Sequence, residues 1–207
     1  MEMRRSETLL ASPRMFDSDL LDRLSRVHHS VPPLIFGPAI AVLFALGQEN
    51  TPVLPAVAWL AGGFAFWTLF EYWMHRVVFH LEPEKGIGAR LHWIIHGVHH
   101  DHPNDPMRLV MPPSVSVPLS AALVGVFWLV LGAPGAYLFG AGFLAGYLVY
   151  DMTHYHLHHR MPRTRVGRLL YELHMRHHFQ DDTRGFGVSA PWWDYVFGTS
   201  PRRRPSG

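Results

Sequence analysis

Four long uncharged apolar runs constrain this chain more than any other feature. They are Val31 to Gly47, Val53 to Phe70, Ser114 to Leu131 and Ala133 to Tyr150, and none contains a charge or a histidine. Each has about the length that crosses a bilayer core, roughly 17–25 apolar residues. Gly and Pro fall inside them (Pro38, Gly62, Gly63, Pro118, Gly125, Gly142, Gly146). Those residues weaken a soluble helix but are common in membrane helices, where small residues let backbones approach. A chain of 207 residues is one domain's worth. It could hardly cover four such helices as a soluble core. The expectation is an all-α integral membrane protein with four transmembrane helices in two hairpins.

The basic residues orient the hairpins. All 18 Lys and Arg lie before Val31, between Glu71 and Pro113, or after Tyr150. The connections 48–52 and 132–135 carry none. By the positive-inside rule, both termini and the long middle segment lie on the cytoplasmic side. The formal charge of +2 is no nucleic-acid footprint. The first 30 residues lack the apolar core of a signal peptide. Leu20, Leu21, Leu24 and Val27 form one stripe, which predicts an interfacial helix over 18–27. The chain divides into an N-terminal interfacial segment (1–30), a membrane domain (31–199) and a basic tail (200–207). In that tail Arg202, Arg203 and Arg204 are expected near lipid headgroups.

Histidine is as abundant as Asp and Glu together, 16 of each, and cysteine is absent. Thiolate zinc sites and Cys-ligated clusters are therefore excluded. Ten histidines form four clusters: His75 and His80; His96, His99 and His100; His154 and His158; His174, His177 and His178. All lie in the basic segments and so at one membrane face, where His-bearing helices are expected to form a cytoplasmic cap over the membrane helices. Neutral imidazole suits Fe, Zn, Cu and Ni. Ten ligands are too many for one four-coordinate ion, so two metals are expected. Residues three and four apart share a helix face, while adjacent histidines point about 100° apart and can serve different metals. His75 and His80, five apart, need not share a face. His92 and His159 are possible extra ligands. Glu71 and Asp151, flanking the clusters, are expected to orient ligand rings. Because ligation needs neutral imidazole, acid should release metal below about pH 6.5.

These residues carry a family resemblance. The segments are 71–80 (EYWMHRVVFH), 91–100 (LHWIIHGVHH), 108–113 (RLVMPP), 150–159 (YDMTHYHLHH), 174–179 (HMRHHF), 185–189 (GFGVS) and 193–195 (WDY). The chain resembles the fatty acid hydroxylase superfamily of membrane di-iron oxygenases, and within it the sphingolipid fatty acid 2-hydroxylases. The resemblance runs from about residue 32 to 199. It implies that the ten clustered histidines hold two iron ions and that the reaction consumes O2. The implied product is an acyl chain hydroxylated at C2, free or within a ceramide. Zinc could replace iron in purified protein. Many eukaryotic members carry a b-type cytochrome domain, whose His-Pro-Gly-Gly motif is not in this sequence. The implied donor is thus separate, a ferredoxin or a b-type cytochrome with its reductase, and the short length suggests a bacterial inner-membrane enzyme. Arg108, Tyr155, Trp192 and Trp193 are candidates for binding the substrate headgroup. A sterol or carotenoid hydroxylase or a desaturase remains the alternative within enzymes. A metal-binding or transport protein is the remote one, disfavoured because the apolar runs carry no charge and no histidine.

Overall fold

The structure is a computed structural model that describes residues 4–81, 83 and 85–202. Arg203 and Arg204, and with them most of the predicted basic tail, lie outside the described residues. The described residues form helices and connecting turns, with no strand among them.

Two short helices, α1 (Arg5–Leu10) and α2 (Asp19–Leu24), precede four long ones. These are α3 (Val31–Gln48), α4 (Val53–Trp73), α7 (Pro113–Leu131) and α8 (Gly135–His159). Between α4 and α7 lie α5 (Gly86–His92) and α6 (Val98–Asp101); α9 (Arg165–Phe179) and α10 (Trp192–Val196) follow α8. Prolines start α3 and α7 in their first turns, where the missing N–H has no helical partner to lose. The predicted helix over 18–27 is shorter than its stripe. It ends at Leu24, and the chain then turns so that Val27 is buried against Leu109, Val110 and Tyr155. Leu20, Leu21 and Leu24 stay exposed.

Helix α8 is the axis of the molecule, lying against α3, α4 and α7. Its contact with α4 is backbone to backbone. A Cβ on Gly63 would meet the Phe139 carbonyl oxygen at 2.0 Å, and one on Gly142 would meet that of Leu60 at 2.1 Å. Only glycine permits that approach. Trp67, Phe127, Phe143 and Tyr147 fill the remaining space in edge-on ring pairs.

Among the described residues, three helices are long and apolar enough to cross a membrane: Val31–Gln48, Val53–Phe79 and Pro113–Leu131. Their outward side chains, such as Leu34, Val53, Leu54, Leu129 and Val130, are more than two-thirds exposed. An apolar surface of this extent calls for lipid or a partner. The fourth apolar run forms α8, but it does not join these three. The reason is its position. A helix wedged among three others is built from glycine and tyrosine, which lower its apolar content.

Candidate metal centre

The ten clustered histidines converge at one end of the long helices. In one group, nitrogens of His75, His80, His96, His100 and His177 all lie within 4.8 Å of one another. In the other, those of His99, His154, His158, His174 and His178 do the same. The adjacent pairs divide as the helical angle predicts. His100 joins the first group and His99 the second; His177 joins the first and His178 the second. His92 and His159 belong to neither. The His159 ring stacks on Tyr155 at 4.2 Å, and its Nδ1 meets the Tyr155 carbonyl.

The pairing of His75 with His80 depends on a local change of helix type. Past Trp73, α4 continues as π-helix over Met74–Phe79. There the His80 N–H donates to the His75 carbonyl, five residues back, at 3.2 Å. Five-residue spacing, awkward on an α-helix, shares a face on a π-turn. The two rings lie 5.1 Å apart. A second π-segment, Trp93–Gly97, carries His96. Helix α9 is capped at its start by Thr164, whose hydroxyl accepts the Gly167 N–H. That start sets the register that buries His174 and His177.

Within each group the Nε2 atoms sit close together. His75 and His96 are 3.2 Å apart, His96 and His100 3.0 Å, and His80 and His177 3.1 Å. His99 lies 3.0 Å from both His154 and His178, and His158 lies 2.8 Å from His174. Nitrogens bound at ~2.0–2.1 Å to one ion would be separated by roughly 3 Å. The donor set fits two metal ions. The rings are also held neutral. Burial first, and then the neighbouring imidazoles, push His80 down to about 3 and His100 to about 2. His96, His99, His158, His174 and His178 fall well below the usual histidine range for the same reasons.

The flanking carboxylates act elsewhere than expected. Glu71 accepts the Ser189 N–H at 2.8 Å and also the Ser189 hydroxyl. Asp151 accepts the Met111 N–H at 3.3 Å and the Tyr147 hydroxyl at 3.4 Å. These hydrogen bonds fix chain segments, not rings. The ring partners of His75 and His177 are backbone carbonyls. His75 Nδ1 lies 2.7 Å from the Phe186 oxygen, and His177 Nδ1 lies 2.8 Å from that of Arg184. Nδ1–H donation to each carbonyl leaves Nε2 as the free lone pair. Asp194 was not foreseen as a site residue. It is 2 % exposed and accepts the N–H groups of Phe186 and Gly187, each at 2.9 Å. Its only signal in the sequence is an acid between Trp193 and Tyr195, downstream of a Gly-x-Gly turn.

The headgroup candidates are mostly engaged. Arg108 is buried; it donates to Asp22 at 2.6 Å and to the Pro13 carbonyl. Tyr155 is buried between the rings of His29 and His159. The indole N–H of Trp193 donates to Thr68 at 3.1 Å. Trp192 is half exposed. An apolar crevice opens between α4, α7 and α8, lined by Trp67, Phe70, Met74, Leu119, Leu123 and Phe143. Two more of its wall rings lie on histidines, one from each group: Phe79 stacks on His96 at 5.1 Å and Tyr150 on His154 at 5.7 Å.

Comparison with known proteins agrees with this geometry. The fatty acid hydroxylase family model matches residues 60–199. A dihydroceramide fatty acyl 2-hydroxylase of Arabidopsis thaliana is 38% identical over 198 residues, covering 91% of this chain and 80% of that protein. The fatty acid 2-hydroxylase of Homo sapiens is 37% identical over 222 residues, covering 93% of this chain and 58% of that protein. Among solved structures, full-length scs7p, with only its hydroxylase domain visible, superposes with a TM-score of 0.84 at 35% identity. That match covers 91% of this chain and 73% of the other.

Proposed function

The chain belongs to the fatty acid hydroxylase family, and on that premise we propose that it hydroxylates C2 of a long acyl chain, free or carried in a ceramide-like sphingolipid. The observation that carries this reading is the apolar crevice whose wall rings rest on both histidine groups. In the proposal the ten histidines hold two iron ions, which supply O2 activation and oxidation of the C2–H bond with electrons from a donor protein. The chain's own residues do the rest. The crevice, about 30 Å³ as it stands, widens to take the acyl tail from the bilayer and keeps water away. Phe79 and Tyr150, pressed against His96 and His154, limit how far the chain advances. Burial keeps the imidazoles neutral, with lone pairs turned inward. Helices α3, α4, α7 and α8 cross the membrane as two hairpins, with the metal centre and both termini on the cytoplasmic side. Exposed Trp192 is the one headgroup candidate whose side chain stays open.

The test is lipid analysis of an iron-supplied bacterial host expressing the wild type or His99→Ala. Total fatty acids are released and scanned by mass spectrometry, with ferredoxin and ceramide supplied in a reconstituted assay. A 2-hydroxy acid present only with the wild type is the expected result. Hydroxylation at another carbon, or a new double bond, would overturn the C2 assignment.

A further inference from the structure

The two histidine groups are not supported alike. The first is backed by a loop that is itself pinned at several points. Residues 184–187 present the Arg184 and Phe186 carbonyls to His177 Nδ1 and His75 Nδ1. Asp194 holds this loop from behind, one carboxylate oxygen on the Phe186 N–H and the other on the Gly187 N–H. Thr199 closes the ring: its hydroxyl donates to Asp194 at 2.8 Å, and its carbonyl accepts the Gly185 N–H at 2.9 Å. Gly185 has φ 82°, and a Cβ there would meet Pro201 at 2.8 Å. The loop is also docked on α4. Thr68, Glu71, Tyr72 and His75 stand at i, i+3, i+4 and i+7, one helix face. The first three bind Trp193, Ser189 and Thr199, and the fourth is the ligand candidate. Among the described residues the second group has no such backing. Nδ1 of His158, His174 and His178 is buried without a hydrogen-bond partner among the described residues.

We propose that Asp194 is a positioning residue for one metal position only, holding the 184–187 carbonyls that orient His75 and His177 and leaving the second group untouched. Asp194 touches no histidine and acts through the loop. Glu71, through Ser189, anchors the same segment to the helix that bears His75. The inference rests on the reading that the histidines bind two metal ions.

The experiment uses the full chain, purified in detergent micelles and loaded with Fe2+ without oxygen. Iron per protein is followed as a chelator is added. In Asp194→Asn the side chain keeps its size, but an NH2 group faces a backbone donor. One of the two irons should then be lost at about 10–100-fold lower chelator concentration than in the wild type, the usual scale for the outer partners of metal ligands. The other iron should be retained as in the wild type. Adding His75→Ala to Asp194→Asn should cost no further iron, whereas adding His174→Ala should remove the remaining one. Asp194→Ala should act in the same direction; if it fails to fold by circular dichroism, the isosteric variant carries the test alone. Two irons held with wild-type affinity in Asp194→Asn would overturn the proposal. So would parallel loss of both, which is what a general packing role predicts. A wild-type protein that binds no iron would instead sink the two-metal reading beneath it.

Discussion

A residue's neighbours decide its role, and Arg108 shows how far this can depart from its sequence context. Beside the metal segments, an arginine reads as a clamp for a substrate headgroup. In the fold its side chain is 3% exposed and is held by Asp22, the Pro13 carbonyl and Ser25. Those partners belong to the N-terminal segment, which also reaches the cap through Val27, whose N–H donates to the Met107 carbonyl at 2.6 Å. Arg108 therefore ties down a strap. Removing one partner of a buried pair costs about 3 kcal/mol, here offset in part because Asp22 keeps Arg26 at 3.1 Å. Arg108→Ala should lower the melting temperature and open residues 12–20 to limited proteolysis, with KM for the acyl substrate little changed. A large rise in KM with wild-type protease resistance would restore the headgroup role. The grouping of the histidines was legible, because helical spacing is written along the chain and the rings meet in two sets of five. The carboxylates were not. Glu71, Asp151 and Asp194 bind backbone N–H groups 118, 40 and 7–8 residues away. Spacing carries no record of such partners.

At the scale of the element, apolar length was readable and the function of small residues was only half so. Four uncharged runs announced four membrane-crossing helices; each run is helical, and among the described residues three are long and apolar enough to cross. Nothing in the runs said that α8 would be the enclosed one, although its glycines at 135, 140, 142 and 146 are the cause. The π-turn at Met74–Phe79 was equally hidden. A five-residue spacing looks wrong for an α-helix, and only the backbone shows that the helix itself changes. The close α4–α8 contact makes a contrast testable. At Gly142 an added Cβ would meet a backbone oxygen at 2.1 Å, which no side-chain adjustment relieves. At Gly125 it would meet nothing within 4 Å. Gly142→Ala should cost roughly 1–3 kcal/mol through overpacking. Gly125→Ala should be neutral, or stabilising by up to about 1 kcal/mol from helix propensity. Denaturant unfolding in micelles measures both, and equal effects at the two sites would contradict the contact.

At the scale of the whole molecule, the ten histidines make the cap a store of proton affinity that folding suppresses. From sequence, acid was expected to remove metal near the ordinary histidine value of ~6.5 by titrating the ligands directly. The structure changes the route. In the folded, metal-free protein burial holds His80 near 3 and His100 near 2, so these rings stay neutral well below pH 6. In the unfolded chain they protonate near 6.5. Between those values the unfolded state binds more protons, so stability rises with pH. It is fully present above about 6.5 and is lost as pH falls toward 3. Each such histidine contributes up to about 1.4 kcal/mol per pH unit. Several act together, so the metal-free cap should unfold well before its native rings titrate. Bound metal, which also requires neutral rings, should push the transition to lower pH. Acid should therefore release metal and tertiary structure in one step. Following metal content and near-ultraviolet circular dichroism along one pH series checks this. Metal leaving at pH 5–6 from a cap that keeps its tertiary signal would mean that the rings titrate in place, and that burial does not protect them.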